Sequence, residues 1–261
     1  MSSNLLDFST HLIKKAGTLL TKYFSQQNLE SDFKSDNSLV TEADLAADNL
    51  IRESIENAYP DDGILSEESG TIFPKNHDYV WVIDPLDGTT NFSLGLQYWG
   101  VSIARLKNGQ LEMGCVYFPL INEFYMAVKG QGAFLNGDLI KIDDPKENDP
   151  KPFFACCSRT YKNYTVNIPY KTRILGAATY NLCAVANSVA ILAFEATPKL
   201  WDIAAAWLII QESGGTVQTL NKIQLFPTET GHNYEIIDLP TLAAASPALY
   251  KKSSTQLIPK T

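Results

Sequence analysis

The densest run of chemistry-bearing side chains is Trp81-Val82-Ile83-Asp84-Pro85-Leu86-Asp87-Gly88-Thr89-Thr90-Asn91-Phe92. Asp84 and Asp87 fall together on a tight turn. Gly88-Thr89-Thr90 follows, a small-residue segment whose free amides can hold an anion, especially where a helix starts. Two carboxylates beside such a cradle suit divalent cations and a phosphate, because Mg²⁺ prefers hard oxygen ligands and completes its shell with substrate phosphate. Asp-Pro and Asp-Gly are also common turn pairs, so the two acids by themselves leave a plain turn open. Five more acids sit at the ends of apolar segments. Asp44 follows Val40-Thr41-Glu42-Ala43, where a first-turn carboxylate would also favour a helix dipole. Glu67-Glu68 ends Ile64-Leu65-Ser66 and precedes Gly70, although adjacent glutamates are usually solvated. Asp202 opens the run Leu200-Trp201-Asp202-Ile203-Ala204-Ala205, where it could equally be a helix cap. Glu195 closes the apolar stretch from Val189.

The elements that must position these acids are legible in outline. Leu5, Phe8, Leu12, Ile13, Ala16, Leu19, Leu20 and Phe24 recur at helical spacing and predict a helix over 4–28. Thr41 as N-cap with Asp44 three residues on reads as a capping box opening a helix over about 42–59. Val80-Trp81-Val82-Ile83 reads as a buried strand that Pro85 should stop. Trp99–Leu106, Leu111–Phe118 and Glu123–Val128 predict an antiparallel meander. Gly130-Gln131-Gly132-Ala133-Phe134-Leu135-Asn136-Gly137 lacks the Lys-Ser/Thr of a phosphate loop and opens no helix. Residues 143–152 are Asp/Pro/Lys-rich, and the expected division there is 1–145 and 146–261, within one compact catalytic unit. In the second part, strands are expected at Phe153–Ser158, Arg173–Leu175 and Val189–Glu195. Helices are expected over 178–188 and from Leu200 to Gln211.

The twelve-residue run resembles the signature W-x-I-D-P-[LI]-D-G-T-T-N-F of the inositol monophosphatase family of Mg²⁺-dependent, Li⁺-sensitive phosphatases. Three further stretches match it in order: Val40-Thr41-x-x-Asp44, the G-x-G-A-[FW]-x-N-G hairpin, and Trp201-Asp202-x-Ala204-Ala205 followed by Glu212-Ser213-Gly214-Gly215. The resemblance covers about residues 36–219 and implies a layered α/β/α/β/α sandwich. It also implies two or three Mg²⁺ ions: one on Glu67, Asp84 and the Leu86 carbonyl, a second on Asp84, Asp87 and Asp202, and a weaker third leaning on Glu67. The attacking water would be oriented by Thr89 and Asp44, and the phosphate held by the Gly88 and Thr89 amides, with no covalent phospho-enzyme. Glu195 and Ala178 fall where the family contacts the sugar ring, and Glu195 is expected at the mouth of the site. The implied reaction is hydrolysis of inositol monophosphate, Li⁺-inhibited, in a homodimer. Within the family the alternatives are fructose-1,6-bisphosphatase, histidinol-phosphatase and the 3′-phosphoadenosine nucleotidases. The last tend to carry Asp-Gly-Thr-Lys where this chain has Asp-Gly-Thr-Thr. A catalytically dead binding subunit is the non-enzyme alternative. Three departures stand out: a short, Pro169-containing segment between Ser158 and Arg173 where a helix is expected to be missing, a polar stretch over 219–238, and no Asp after the glycines.

The whole chain sets bounds on these readings. Its 261 residues are 45% hydrophobic, enough for a sizeable core, and carry a net charge of −8 with no long basic run. A phosphate-neutralising nucleic-acid surface is therefore not expected, and the partner is a small phosphate ester. No stretch reaches the roughly 18–20 apolar residues of a membrane span, and no apolar leader precedes residue 20, so the expected location is the cytoplasm. Cys115, Cys156, Cys157 and Cys183 have no zinc-ligand spacing and are expected as reduced, buried thiols. Three scattered histidines, His11, His77 and His232, argue against a Ser-His-Asp or Cys-His hydrolase.

Overall fold

The computed structural model describes residues 3–26, 31–33, 39–142 and 153–260. The expected division at 143–152 lies outside the described residues. Helix α1 (Ser3–Phe24) buries Leu5, Leu12, Ile13, Ala16 and Leu20, the stripe its periodicity predicts. Strands β1 (Ser31–Phe33) and β2 (Leu39–Thr41) pair antiparallel, and helix α2 (Glu42–Ala58) follows directly. Thr41 caps α2, and its own amide donates back to Asp44 Oδ2 at 2.7 Å.

Seven strands form the first sheet in sequence order: β3 (Gly63–Ser66), β4 (Tyr79–Asp87), β5 (Gly100–Lys107), β6 (Gln110–Phe118), β7 (Glu123–Val128), β8 (Gly132–Leu135) and β9 (Asp138–Ile140). All pairs are antiparallel except β3–β4. Pro85 does not end β4 as expected. The strand continues to Asp87 through a register shift between Asp84 and Asp87, where no ladder bond is required of the imino nitrogen. A short helix, α3 (Thr89–Ser93), follows. Alternate side chains divide between two cores. Trp81, Ile83, Val101, Ile103, Met113 and Cys115 pack with α1 and α2. Val80, Val82, Ala104, Leu106, Val116 and Phe118 face the other way.

A second sheet has the order β12 (Thr172–Arg173), β10 (Phe153–Cys156), β13 (Ala190–Glu195), β15 (Thr241–Ala244), β14 (Thr216–Thr219). Helices α5 (Ala178–Ala186) and α6 (Leu200–Glu212) lie between the sheets, sharing one core with both. Helix α6 is apolar almost all round because both flanks are buried. It lies so close to the first sheet that a Cβ on Gly114 would meet the Ala205 carbonyl oxygen at 2.7 Å. The short segment expected to lack a helix contains one, α4 (Arg159–Asn163), followed by β11 (Tyr164–Val166). β11 pairs antiparallel with β16 (Leu257–Pro259), which follows α7 (Pro247–Ser254). The layers run α1/α2, first sheet, α5/α6, second sheet, α4/α7, the expected αβαβα sandwich. Among the described residues no helix is long and apolar enough to cross a membrane.

Candidate metal centre

The parallel pairing of β3 and β4 sets Ser66 beside Ile83, and the Glu67 amide donates to the Ile83 carbonyl at 3.2 Å. That register carries Glu67 alongside Asp84. Helix α6 enters from the middle layer with Asp202 in its first turn, where one carboxylate oxygen accepts the Lys199 amide at 2.7 Å. Glu67, Asp84 and Asp202 thereby present oxygens all within 4.8 Å of one another. Asp84 is 1% exposed and accepts the Leu86 amide at 3.0 Å. Burial, and then the neighbouring Glu67 charge, raise the Asp202 carboxyl well above the usual range. Three crowded hard-oxygen donors that repel one another fit a divalent cation of the Mg²⁺ or Ca²⁺ type.

Asp87 lies outside this group of three. Its oxygens accept the Ala178 amide at 2.9 Å, the Thr179 amide at 2.8 Å and the Thr179 hydroxyl. It ties the end of β4 to the start of α5, and burial lifts its carboxyl to about 6. These contacts belong to the same Asp87 that the resemblance places on a second cation. Asn91 makes a parallel tie, donating to the Tyr98 and Leu175 carbonyls at 2.6 and 2.7 Å. Gly88 has φ of +88°, and a Cβ there would meet the Tyr98 oxygen at 3.0 Å, so only glycine suits this turn.

Thr89 and Asp44 come together across 45 positions of sequence. The Thr89 hydroxyl lies 3.0 Å from Asp44 Oδ1 and 3.0 Å from the Leu86 carbonyl, the same carbonyl that the resemblance places on a cation. Burial pushes Asp44 up to about 6, against the hydrogen bonds from Thr41 and Thr89.

A cleft of about 450 Å³ opens over the acids, lined by Glu67, Asp87, Gly88, Thr89, Ala178, Glu195 and Asp202 among others. A larger hollow of about 940 Å³, between α6, β14 and α7, contains none of the three clustered acids. Glu195, expected at the mouth of the site, lines the cleft from the end of β13. It is 4% exposed on β13, whose side chains are buried on both faces, and Asn181 Nδ2 donates to it at 2.7 Å. Burial, opposed by that hydrogen bond, pushes its carboxyl up to about 8. Asn181, Thr179, Arg159 and Thr197 are not expected in the site from the sequence, and Cys157, expected as a buried thiol, is half-buried at the cleft. Of these, Asn181 offered a signal, a polar side chain within the apolar run of α5.

The sequence model of the inositol monophosphatase family matches residues 1–247. The Nus factor SuhB of Pasteurella multocida is 35% identical over 98% of this chain and 96% of its own length. A histidinol-phosphatase of Chlorobaculum parvum is 34% identical over 80% and 83%. The solved inositol monophosphatase of Anabaena (Nostoc) superposes with a TM-score of 0.75 at 26% identity, covering 97% of this chain and 94% of that one. With the layered fold, the acid cluster and these matches agreeing over nearly the whole length, the chain belongs to the inositol monophosphatase family.

Proposed function

We propose that the protein is a Mg²⁺-dependent phosphatase that hydrolyses a phosphate monoester of a polyol or sugar, inositol monophosphate foremost, by direct attack of water. The observation that carries this reading is the cluster Glu67, Asp84 and Asp202 beside the Thr89–Asp44 pair at 3.0 Å, both at one cleft. Glu67, Asp84 and Asp202 would hold the cation, with Leu86 and Asp87 as the further ligands that the family resemblance implies. A bound divalent ion supplies positive charge to the phosphoryl oxygens and lowers the pKa of water. The Gly88 and Thr89 amides would hold the phosphate, with Ala178 and Glu195 beside the leaving group. Thr89 donates its proton to Asp44 and so offers a lone pair to the attacking water. As the P–O bond to water forms, the P–O bond to the ester oxygen breaks; the water proton passes to Thr89 and the Thr89 proton to Asp44, which ends as a carboxylic acid, while the departing alkoxide takes a proton from solvent water.

The test is release of inorganic phosphate from inositol 1-phosphate with and without Mg²⁺. Li⁺ should inhibit, since it fits a Mg²⁺ position with half the charge. A relative named as a histidinol-phosphatase keeps that substrate within the same reading. A second reading, a binding factor that performs no hydrolysis, is favoured by the relatives named Nus factor SuhB. No phosphate release from any of inositol 1-phosphate, fructose 1,6-bisphosphate or histidinol phosphate would favour it.

A further inference from the structure

We propose that Arg159, with Thr197, forms a subsite at the rim of the cleft for a second anionic group on the substrate, a phosphate or a carboxylate carried by the leaving group. This deepens the phosphatase reading and rests on it. Among the described residues lining the cleft, four are acids, Glu67, Asp87, Glu195 and Asp202, and Arg159 is the one base. A counter-ion for those acids would lie against one of them, but Arg159 makes no ion pair among the described residues. It is exposed, and its Nη1 donates instead to the Thr197 hydroxyl at 3.0 Å. That contact leaves the Thr197 hydrogen available to a ligand. The guanidinium retains donors for the two-pronged grip on carboxylate or phosphate that a lysine does not reproduce.

The placement is also firm. Arg159 follows β10 and Thr197 follows β13, neighbouring strands of the second sheet, whereas Gly88, Thr89 and Thr90 close the cleft from the first. Thr160, beside Arg159, is fully buried, with its amide on the Cys157 carbonyl at 3.1 Å. Beyond it, the Lys260 amide donates to the Asn163 carbonyl at 2.8 Å and Lys260 Nζ to the Tyr161 carbonyl at 2.7 Å. The cation is thus mounted on a pinned turn. The cleft volume falls within the roughly 300–1,000 Å³ of small-molecule sites, so a phosphate held at one wall leaves room for a leaving group reaching the other.

The test compares wild type, Arg159→Gln and Arg159→Lys on four substrates with Mg²⁺. Fructose 1,6-bisphosphate offers a second phosphate and 2-phosphoglycerate a carboxylate; inositol 1-phosphate and glycerol 2-phosphate offer neither. Arg159→Gln should lose about tenfold in kcat/KM, mostly through KM, on whichever substrate carries the anion the subsite takes, and less than about twofold on the two plain monoesters. Arg159→Lys should recover part of the loss. An equal loss on all four substrates, or no loss on any, overturns the subsite while Mg²⁺-dependent turnover leaves the phosphatase reading standing. If wild type releases no phosphate from any of the four, both fall together.

Discussion

Asp84 serves three neighbours at once, taking the Leu86 amide at 3.0 Å while facing Glu67 and Asp202. Asp84→Asn keeps the shape and removes the charge. Turnover should fall below about a tenth of wild type with circular dichroism unchanged, because a weakened cation site costs several kcal/mol of transition-state stabilisation. Thr89→Val should lower kcat about a hundredfold with KM little altered, the size of effect expected when a proton path is cut. A wild-type rate in that variant would remove Thr89 from the mechanism. Glu67, Asp84 and Asp202 were legible in the sequence because each closes or opens a strongly apolar element, and the motif strings supplied their roles. The Thr179 hydroxyl on Asp87 was not legible. The two residues stand 92 positions apart, and no local pattern announces a contact made only when α5 docks against the end of β4.

Helix α6 and strand β4 illustrate how far periodicity reaches. The apolar run after Leu200 could be read as a buried helix, and its boundaries held to within a residue. The meander held too, since each strand pairs with its neighbour in sequence. Pro85 reads locally as a strand end because it lacks a donor, yet it sits inside a register shift where the ladder asks for none. β11, β15, α7 and β16 were not anticipated at all. They are short, and β11 and β16 each owe their existence to a partner more than 90 residues away in sequence. Packing of α6 on the first sheet gives a sharper test. Gly114→Ala would drive a Cβ to 2.7 Å from the Ala205 oxygen, an overpacking that should destabilise by about 1–3 kcal/mol. Because α6 carries Asp202, the same variant should bind Mg²⁺ more weakly in a calorimetric titration. Unchanged affinity would show that the helix shifts without moving its first turn.

The assembled protein gathers buried acids whose carboxyls lie above their ordinary range: Asp44 and Asp87 near 6, Glu195 near 8, and Asp202 raised by burial and then by the Glu67 charge. A raised folded pKa means that the native state holds protons the unfolded chain has released. Below about pH 4 the penalty is absent; it grows as pH rises through the unfolded values and on through the raised folded ones. Metal-free protein should therefore melt at a higher temperature at pH 5.5 than at pH 8. Mg²⁺ should reverse much of that difference. At a hundred times its dissociation constant it adds about 2.7 kcal/mol, or roughly 5–10 °C for a chain of this length. Thermal melts at both pH values, with EDTA and with Mg²⁺, check the sign, and a melting temperature that rises with pH in EDTA would contradict it. The strap formed by β16 over β11 has a different bearing. Leu257–Pro259 is not among the residues lining the cleft, yet with Lys260 it holds the one-turn helix α4 on which Arg159 is mounted. On the proposed reading, the acids of the metal centre and the Arg159 subsite are separately mounted: the first on buried strands and α6, the second on a clasp at the surface. Sequence drift in that clasp can retune which molecules are accepted while the chemistry beneath stays untouched, which makes it the natural handle for a lineage, or an engineer, seeking a new substrate.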